Sequence, residues 1–118
     1  MTDRLVAVRT LLALPVLAAL SIAPSVALAA GDAAAGKEKS ATCAACHGET
    51  GIATQPSYPT LAGQYASYIE ESLKGYRSGA RQNAIMAGFA TQLSDQDIAD
   101  LAAWFSSQEG PLATAPRP

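Results

Sequence analysis

The chain has few of the side chains that bind metal ions or fill an aromatic core. Its 118 residues include one histidine, two cysteines and two methionines, and aromatic residues make up 6% of the sequence. A structural zinc site needs four ligands of the Cys and His kind, so three such side chains exclude it. The scarcity of aromatic residues also predicts a thin core, which a buried apolar cofactor would enlarge.

The chain also lacks an excess of positive charge. The formal net charge is -2 at pH 7, whereas nucleic-acid-binding domains present a clear basic patch. We therefore expect no nucleic-acid partner. The chain shows no repeat of fixed period, and its length is that of one domain.

The first 29 residues have the pattern of a secretory signal peptide. Arg4 and Arg9 precede an apolar run, and Ala27-Leu28-Ala29 offers an A-x-A cleavage site. Residues 11–30 are uncharged and long enough to span a bilayer, so a retained anchor is the alternative. We predict cleavage after residues 1–29 and a periplasmic protein, with membrane attachment only if this segment is kept.

The sequence Cys43-Ala44-Ala45-Cys46-His47 is a C-x-x-C-H pattern, which is the signature of c-type haem attachment. Two thiols three residues apart lie about one helical turn from each other, so each can form a thioether with one haem vinyl group. His47 then lies against the iron as a proximal ligand. A disulfide or a thioredoxin-like redox pair also uses C-x-x-C, but the redox motif accompanies a βαβ pattern that this sequence lacks. The motif predicts one covalently attached haem c.

Pro59 is a candidate for orienting His47. A metal-bound histidine usually donates its other ring N–H to a fixed acceptor, often a backbone carbonyl. The locked φ of proline makes it a good holder of such a carbonyl. The alternative is that Pro59 only ends an extended loop before a helix.

The methionine count identifies a candidate for the second axial ligand. Because Met1 belongs to the predicted signal peptide, Met86 is the thioether left for a His/Met-ligated iron. A lone methionine usually fills a core, but a single haem motif without a second histidine favours ligation. Residues 81–92 are expected to be irregular. Arg77 and Arg81 are candidates to pair with a haem propionate, with a solvated surface role as the alternative.

Periodicity predicts two helices before Met86. The first begins at the N-cap Asp32 and continues to about Thr42, and Gly36 inside it either permits close approach of another helix or is simply tolerated. The second covers residues 65–78 and ends at Gly79. Its expected buried positions are Tyr65, Ile69, Leu73 and Tyr76.

The last helix has the clearest start. Ser94 is the predicted N-cap, and Asp97 three residues later approximates a capping box. Gly110-Pro111 is expected to end the helix, and residues 111–118 to form a loose tail. The expected buried positions of this last helix are Ile98, Leu101, Ala102 and Phe105.

Taken together, these features resemble a class I monohaem cytochrome c and are especially similar to one half of the two-haem periplasmic bacterial cytochromes c. The resemblance covers about residues 31–108 and includes the haem motif, Met86 and four further matching segments: Gly31–Lys37, Pro59–Gln64, Gly79–Arg81 and Leu93–Phe105. It implies an all-α fold over residues 30–110, with three main helices around one covalently attached haem. It also implies that His47 and Met86 are the axial ligands, that the Pro59 carbonyl orients His47, and that the first and last helices cross at Gly36.

The resemblance further implies one-electron transfer between Fe(III) and Fe(II), by a monomeric carrier that is not an enzyme. Expected donors are a dehydrogenase or cytochrome complex, and the expected acceptor is a terminal oxidase or similar protein. A haem c subunit of a periplasmic dehydrogenase complex would use the same site and is the main alternative. A peroxidase-like or gas-binding haem protein would require Met86 to be absent from the iron.

Overall fold

The computed structural model describes residues 30–112, so the predicted signal peptide and the last six residues lie outside the described residues. Between residues 30 and 112 the chain forms five helices and no strand, which confirms the all-α prediction. The helices are α1 (Ala33–Lys39), α2 (Ala41–His47), α3 (Ala66–Ser78), α4 (Ala84–Ala90) and α5 (Asp95–Ser107). No helix in this part of the chain is both long and apolar enough to cross a membrane.

The first and last helices meet backbone to backbone. A Cβ atom built on Gly36 would lie 2.0 Å from the Asp100 carbonyl oxygen and 2.8 Å from Trp104 Cβ, and one built on Gly31 would lie 2.0 Å from the Ala99 carbonyl oxygen. Only glycine permits such an approach. The close-approach interpretation of Gly36 is therefore correct, and α1 packs on α5 through small residues.

The predicted first helix is divided in two. It was expected to continue to about Thr42, but α1 ends at Lys39 and Ser40 separates it from α2. The buried Ser40 donates its hydroxyl to the Lys37 carbonyl oxygen at 2.7 Å. A serine side chain that bonds the local backbone competes with helix continuation, so the uninterrupted helix was a wrong prediction. The break separates α1 from α2, the helix that carries the haem motif.

Helix α3 has the predicted C-terminal glycine, since Gly79 adopts φ 80°. Its buried stripe is narrower than predicted: Ile69 is 5% exposed, Leu73 and Tyr76 are half-buried, and Tyr65 is an exposed N-cap. The predicted stripe of α5 is confirmed in full, because all four of its positions are buried. Ile69 joins three of them in the core cluster of Ile69, Leu101, Ala102 and Phe105.

Helix α5 begins with the predicted capping box, in which Ser94 Oγ accepts from the Asp97 N–H at 3.1 Å and Asp97 Oδ2 accepts from the Ser94 N–H at 2.9 Å. It ends at Ser107, three residues before Gly110. The prediction that Gly110-Pro111 ends the helix therefore placed the end too far along the chain. Gly110 instead packs against Ala62, where a Cβ would lie 2.6 Å from Ala62 Cβ.

Candidate haem-binding site

Helix α2 presents the three residues of the haem motif on two successive turns. Cys43 and Cys46 are both free thiols, each half-buried, and lie three residues apart on the helix. Burial raises the pKa of the Cys43 thiol. The pair has the spacing and the free sulfur atoms that two thioether bonds require.

His47 ends α2 and is only 7% exposed. Its Nδ1 lies 2.8 Å from the Pro59 carbonyl oxygen. Because a carbonyl oxygen only accepts, the contact places the ring hydrogen on Nδ1 and leaves Nε2 with a free lone pair. An imidazole held in this way is prepared to bind a metal through Nε2.

The loop between α2 and α3 holds the Pro59 carbonyl in place. The N–H groups of Leu61 and Ala62 both donate to the Gly51 carbonyl oxygen, at 2.6 and 3.1 Å. Gly51 adopts φ 83°, and a Cβ on it would lie 2.8 Å from the Phe105 ring. The loop is thereby anchored on α5 close to the position where it contacts His47.

Met86 lies in α4, where the sequence predicted irregular chain; that prediction is wrong. Asn83 is the N-cap, and its side-chain oxygen accepts from the N–H groups of Ile85 and Met86 at 3.0 and 3.1 Å. The cap satisfies two N–H groups that the first helical turn would leave without a partner. It fixes the backbone of Met86, whose side chain is half-buried.

The segment between the haem motif and α5 exposes much apolar surface. Its large apolar side chains include Ile85, which is 62% exposed, and Phe89, which is 45% exposed. The other exposed members of this set are Ile52, Tyr65 and Tyr68. These exposed apolar side chains are candidates for contact with a bound apolar group.

The donor set fits haem c. Two thiols one turn apart, an imidazole with a free Nε2 and a thioether are the side chains by which a c-type haem is attached and ligated. They do not fit an independent metal site, because the described residues contain no group of three or more His, Cys, Asp or Glu side chains that could hold an ion.

The two candidate arginines have different surroundings. Arg77 donates from Nη1 to the Leu93 carbonyl oxygen at 2.9 Å and forms an ion pair with Asp95, so it connects α3 to the start of α5. The Arg81 guanidinium lies over the Tyr76 ring, at 5.0 Å from its centroid, and Nη1 bonds Ser72 Oγ at 2.9 Å. Of the two, Arg81 is the one without an acidic partner among the described residues.

The structure thus places the predicted site residues in two groups. Cys43, Cys46 and His47 share α2, and His47 contacts Pro59, whereas Met86 and Arg81 belong to the α3–α4 side. Sequence reasoning missed the residues that support this second group. Asn83 before Ala-Ile-Met was a usable signal, since asparagine is among the best N-cap residues. The contacts of Arg81 with Ser72 and two tyrosines had no signal at the level of sequence.

Known proteins identify the class to which this site belongs. The family model for cytochrome c matches residues 33–109. Cytochrome c-554(548) of Halomonas halodenitrificans is 55% identical over 83 residues, which are 68% of this chain and all of that protein. The thiosulfate dehydrogenase electron acceptor of Thiomonas intermedia is 37% identical over 86 residues, 72% of this chain and 40% of that protein.

A solved structure also supports membership of the cytochrome c family. The reduced recombinant cytochrome c4 of Pseudomonas stutzeri superposes with a TM-score of 0.66 at 43% identity, over 69% of this chain and 47% of that one. The chain therefore spans about half the length of that cytochrome c4.

The fold and site define a small helical haem protein, and the chain belongs to the cytochrome c family. Members of that family are electron carriers with covalently attached haem c. The predictions of a haem c cofactor, of electron transfer and of a carrier that is not an enzyme are confirmed.

Proposed function

We propose that the haem is attached through Cys43 and Cys46 and that His47 and Met86 are its axial ligands. The observation that carries this proposal is the contact between His47 Nδ1 and the Pro59 carbonyl oxygen at 2.8 Å. It orients the imidazole of a C-x-x-C-H motif and strengthens its basicity toward a metal at Nε2. Arg81, which lacks an acidic partner among the described residues, would pair with a haem propionate.

Each of these residues has a distinct task in electron transfer. The haem supplies the one-electron couple between ferric and ferrous iron. Pro59 fixes His47, and the Asn83 cap fixes the backbone of Met86, so neither ligand has to reorganise when the charge changes. A neutral thioether ligand and burial favour the ferrous form and raise the potential.

Substitution Met86→Ala tests the ligand assignment. The haem should stay attached, because Cys43, Cys46 and His47 are unchanged. The oxidised protein should lose its near-infrared Met–iron charge-transfer band, bind cyanide readily and titrate at a lower potential. Thr91→Ala at the other end of α4 is the control and should retain the band and the potential.

A wild-type protein without the Met–iron band would contradict the assignment. So would a Met86→Ala protein whose band and potential are unchanged. In either case, gas binding or peroxidase chemistry at an open iron site would become the better interpretation.

We also propose that the carrier acts in the periplasm as a monomer. The support for export is the signal-peptide pattern of residues 1–29. The mature protein should begin at Ala30 or Gly31 and be released with the soluble periplasmic fraction. An intact chain starting at Met1 in washed membranes would instead indicate a retained anchor.

The donor we propose is a periplasmic dehydrogenase or a cytochrome complex, and the acceptor a terminal oxidase or similar protein. The relative named as a thiosulfate dehydrogenase electron acceptor, at 37% identity, favours a dehydrogenase. It also keeps a second candidate function, a haem subunit held within such an enzyme. Native purification separates them: a free carrier elutes alone and reacts at rates that depend on ionic strength, whereas a subunit co-purifies at fixed stoichiometry.

A further inference from the structure

Arg81 is held by three side chains of α3 that lie on one helical face. Its guanidinium carbon is 5.0 Å from the Tyr76 ring centroid and 5.9 Å from that of Tyr68. Its Nη1 donates to Ser72 Oγ at 2.9 Å and lies 3.5 Å from the Tyr68 hydroxyl. Residues 68, 72 and 76 recur at intervals of four, so they form one stripe along α3.

The backbone adds to this arrangement. The Arg81 N–H donates to the Gly75 carbonyl oxygen at 3.0 Å, which folds the chain back over α3 after Gly79. Two residues later, Asn83 starts α4, whose first turn contains Met86. Arg81 is therefore fixed at the junction of α3 and α4, beside the helix that bears the proposed ligand.

None of the groups around Arg81 neutralises it. Both ring contacts and both oxygen contacts are with uncharged groups, and none of the four ion pairs of the described residues includes Arg81. Arg81 in turn lowers the pKa of the Tyr68 phenol, mainly through their hydrogen bond. A guanidinium that stacks on an aromatic ring keeps its remaining N–H donors free for a carboxylate that lies in the plane of the guanidinium.

We propose that Tyr76, Tyr68 and Ser72 are positioning residues that direct Arg81 toward the carboxylate edge of the haem, and that the fixed charge raises the reduction potential. This inference rests on the proposed haem site. The cation stabilises the ferrous state because reduction removes one positive charge from the iron centre. A mobile arginine would be solvated and screened, so fixing it strengthens the effect.

Redox titration of the purified holoprotein tests the proposal. Arg81→Gln should lower the equilibrium constant for reduction about two- to fivefold, the range for one partly screened charge. Tyr76→Leu and Ser72→Ala should shift the potential in the same direction by a smaller amount. Tyr76→Phe keeps the aromatic face and should retain the wild-type potential.

Lys37→Gln is the matched charge control. Lys37 is another exposed cation over an aromatic ring, 5.6 Å from the Trp104 centroid, but it lies on α1. Its removal should shift the potential less than Arg81→Gln does. The near-infrared Met–iron band, recorded for every variant, verifies that ligation is intact.

Equal potentials for Tyr76→Leu, Ser72→Ala and wild type, with the band present in all three, would overturn this inference alone. An equal shift in Lys37→Gln and Arg81→Gln would do the same, because only net charge would then matter. Absence of haem c or of the Met–iron band from the wild-type protein would overturn the proposed site and this inference together.

Discussion

The α1–α5 side and the α3–α4 side of the molecule are built in opposite ways. Where α1 meets α5, a Cβ on Gly36 would lie 2.0 Å from the Asp100 carbonyl oxygen, and Asp100 is only 3% exposed. On α4, Ile85 and Phe89 are 62% and 45% exposed, and nothing lies within 4 Å of a Cβ built on Gly88. The first contact is filled by protein, whereas the second leaves apolar surface uncovered.

This difference is consistent with the proposed position of the haem. At Gly36 the α1–α5 contact has no room for another atom, so protein atoms alone form this part of the molecule, which we call the frame. The α3–α4 side, with the proposed ligand Met86, has the apolar surface that a haem would cover. Substitutions on the first side should therefore change stability, and those on the second should change the environment of the iron.

The largest expected effect is that of Gly36→Val. A β-branched side chain at this position would push the α5 backbone away, which costs on the order of 1–3 kcal/mol at overpacked sites. We expect a lower midpoint of denaturant unfolding. Gly88→Val makes the same change in the interior of α4, where the space is open, and should lower the midpoint much less. Valine is a better helix former than glycine, so equal losses in the two variants would show that the helix crossing does not set the cost.

The fold was predictable where a single residue type decides the local structure. The capping box of Ser94 and Asp97, the N-cap Asp32 and the terminal Gly79 all follow from side-chain and backbone chemistry within a few residues. The break at Ser40 and the existence of α4 were not predicted. The residues around Ser40 are good helix formers, so the sequence does not reveal that the Ser40 side chain bonds the backbone and interrupts the helix. Helix α4 is too short for its hydrophobic periodicity to be detected.

The candidate site was predictable for its covalent chemistry and not for its support. The C-x-x-C-H motif and the methionine count depend on residue identity alone. The stripe of Tyr68, Ser72 and Tyr76 around Arg81 depends on how the chain turns after Gly79, which only the structure gives. A contact between residues on separate elements has no local signal in a single sequence.

The second-largest expected effect is that of Asp100→Asn, because Asp100 bonds residues at both ends of α1. Its carboxylate accepts from the Asp32 N–H at 2.9 Å, from Lys39 Nζ at 2.6 Å and from Gln96 Nε2 at 2.9 Å. These bonds, led by that from Asp32, lower the pKa of Asp100 to about 2. Asp100→Asn should lower stability at pH 7, by less than Gly36→Val, because an amide replaces one acceptor oxygen with a donor that faces other donors.

The pH dependence has a definite sign. A carboxyl group whose pKa is lowered on folding stabilises the protein above its unfolded pKa, near 3.9, and this contribution is lost as the pH falls to about 2. Unfolding midpoints measured from pH 5 to pH 2 should therefore fall less steeply in Asp100→Asn than in wild type. Glu38→Gln, an exposed change on α1, should leave the slope unaltered. Parallel wild-type and Asp100→Asn curves would contradict the role given to Asp100.

The smallest expected effect is that of Asn83→Ala, and it falls on the α3–α4 side. Loss of the cap leaves the N–H groups of Ile85 and Met86 without their acceptor, which costs about 1 kcal/mol at a typical N-cap. Because α4 has seven residues, we expect its first turn to fray locally, with faster amide exchange in α4 and little change in the unfolding midpoint. The Met–iron band should weaken as the pH or temperature rises, since the ligand is held less firmly. Asn83→Asp retains the accepting oxygen and should behave as wild type. If Asn83→Ala instead accelerated exchange in α1 and α5 as much as in α4, the two sides would unfold as one unit, and the frame would not be independent of the haem side.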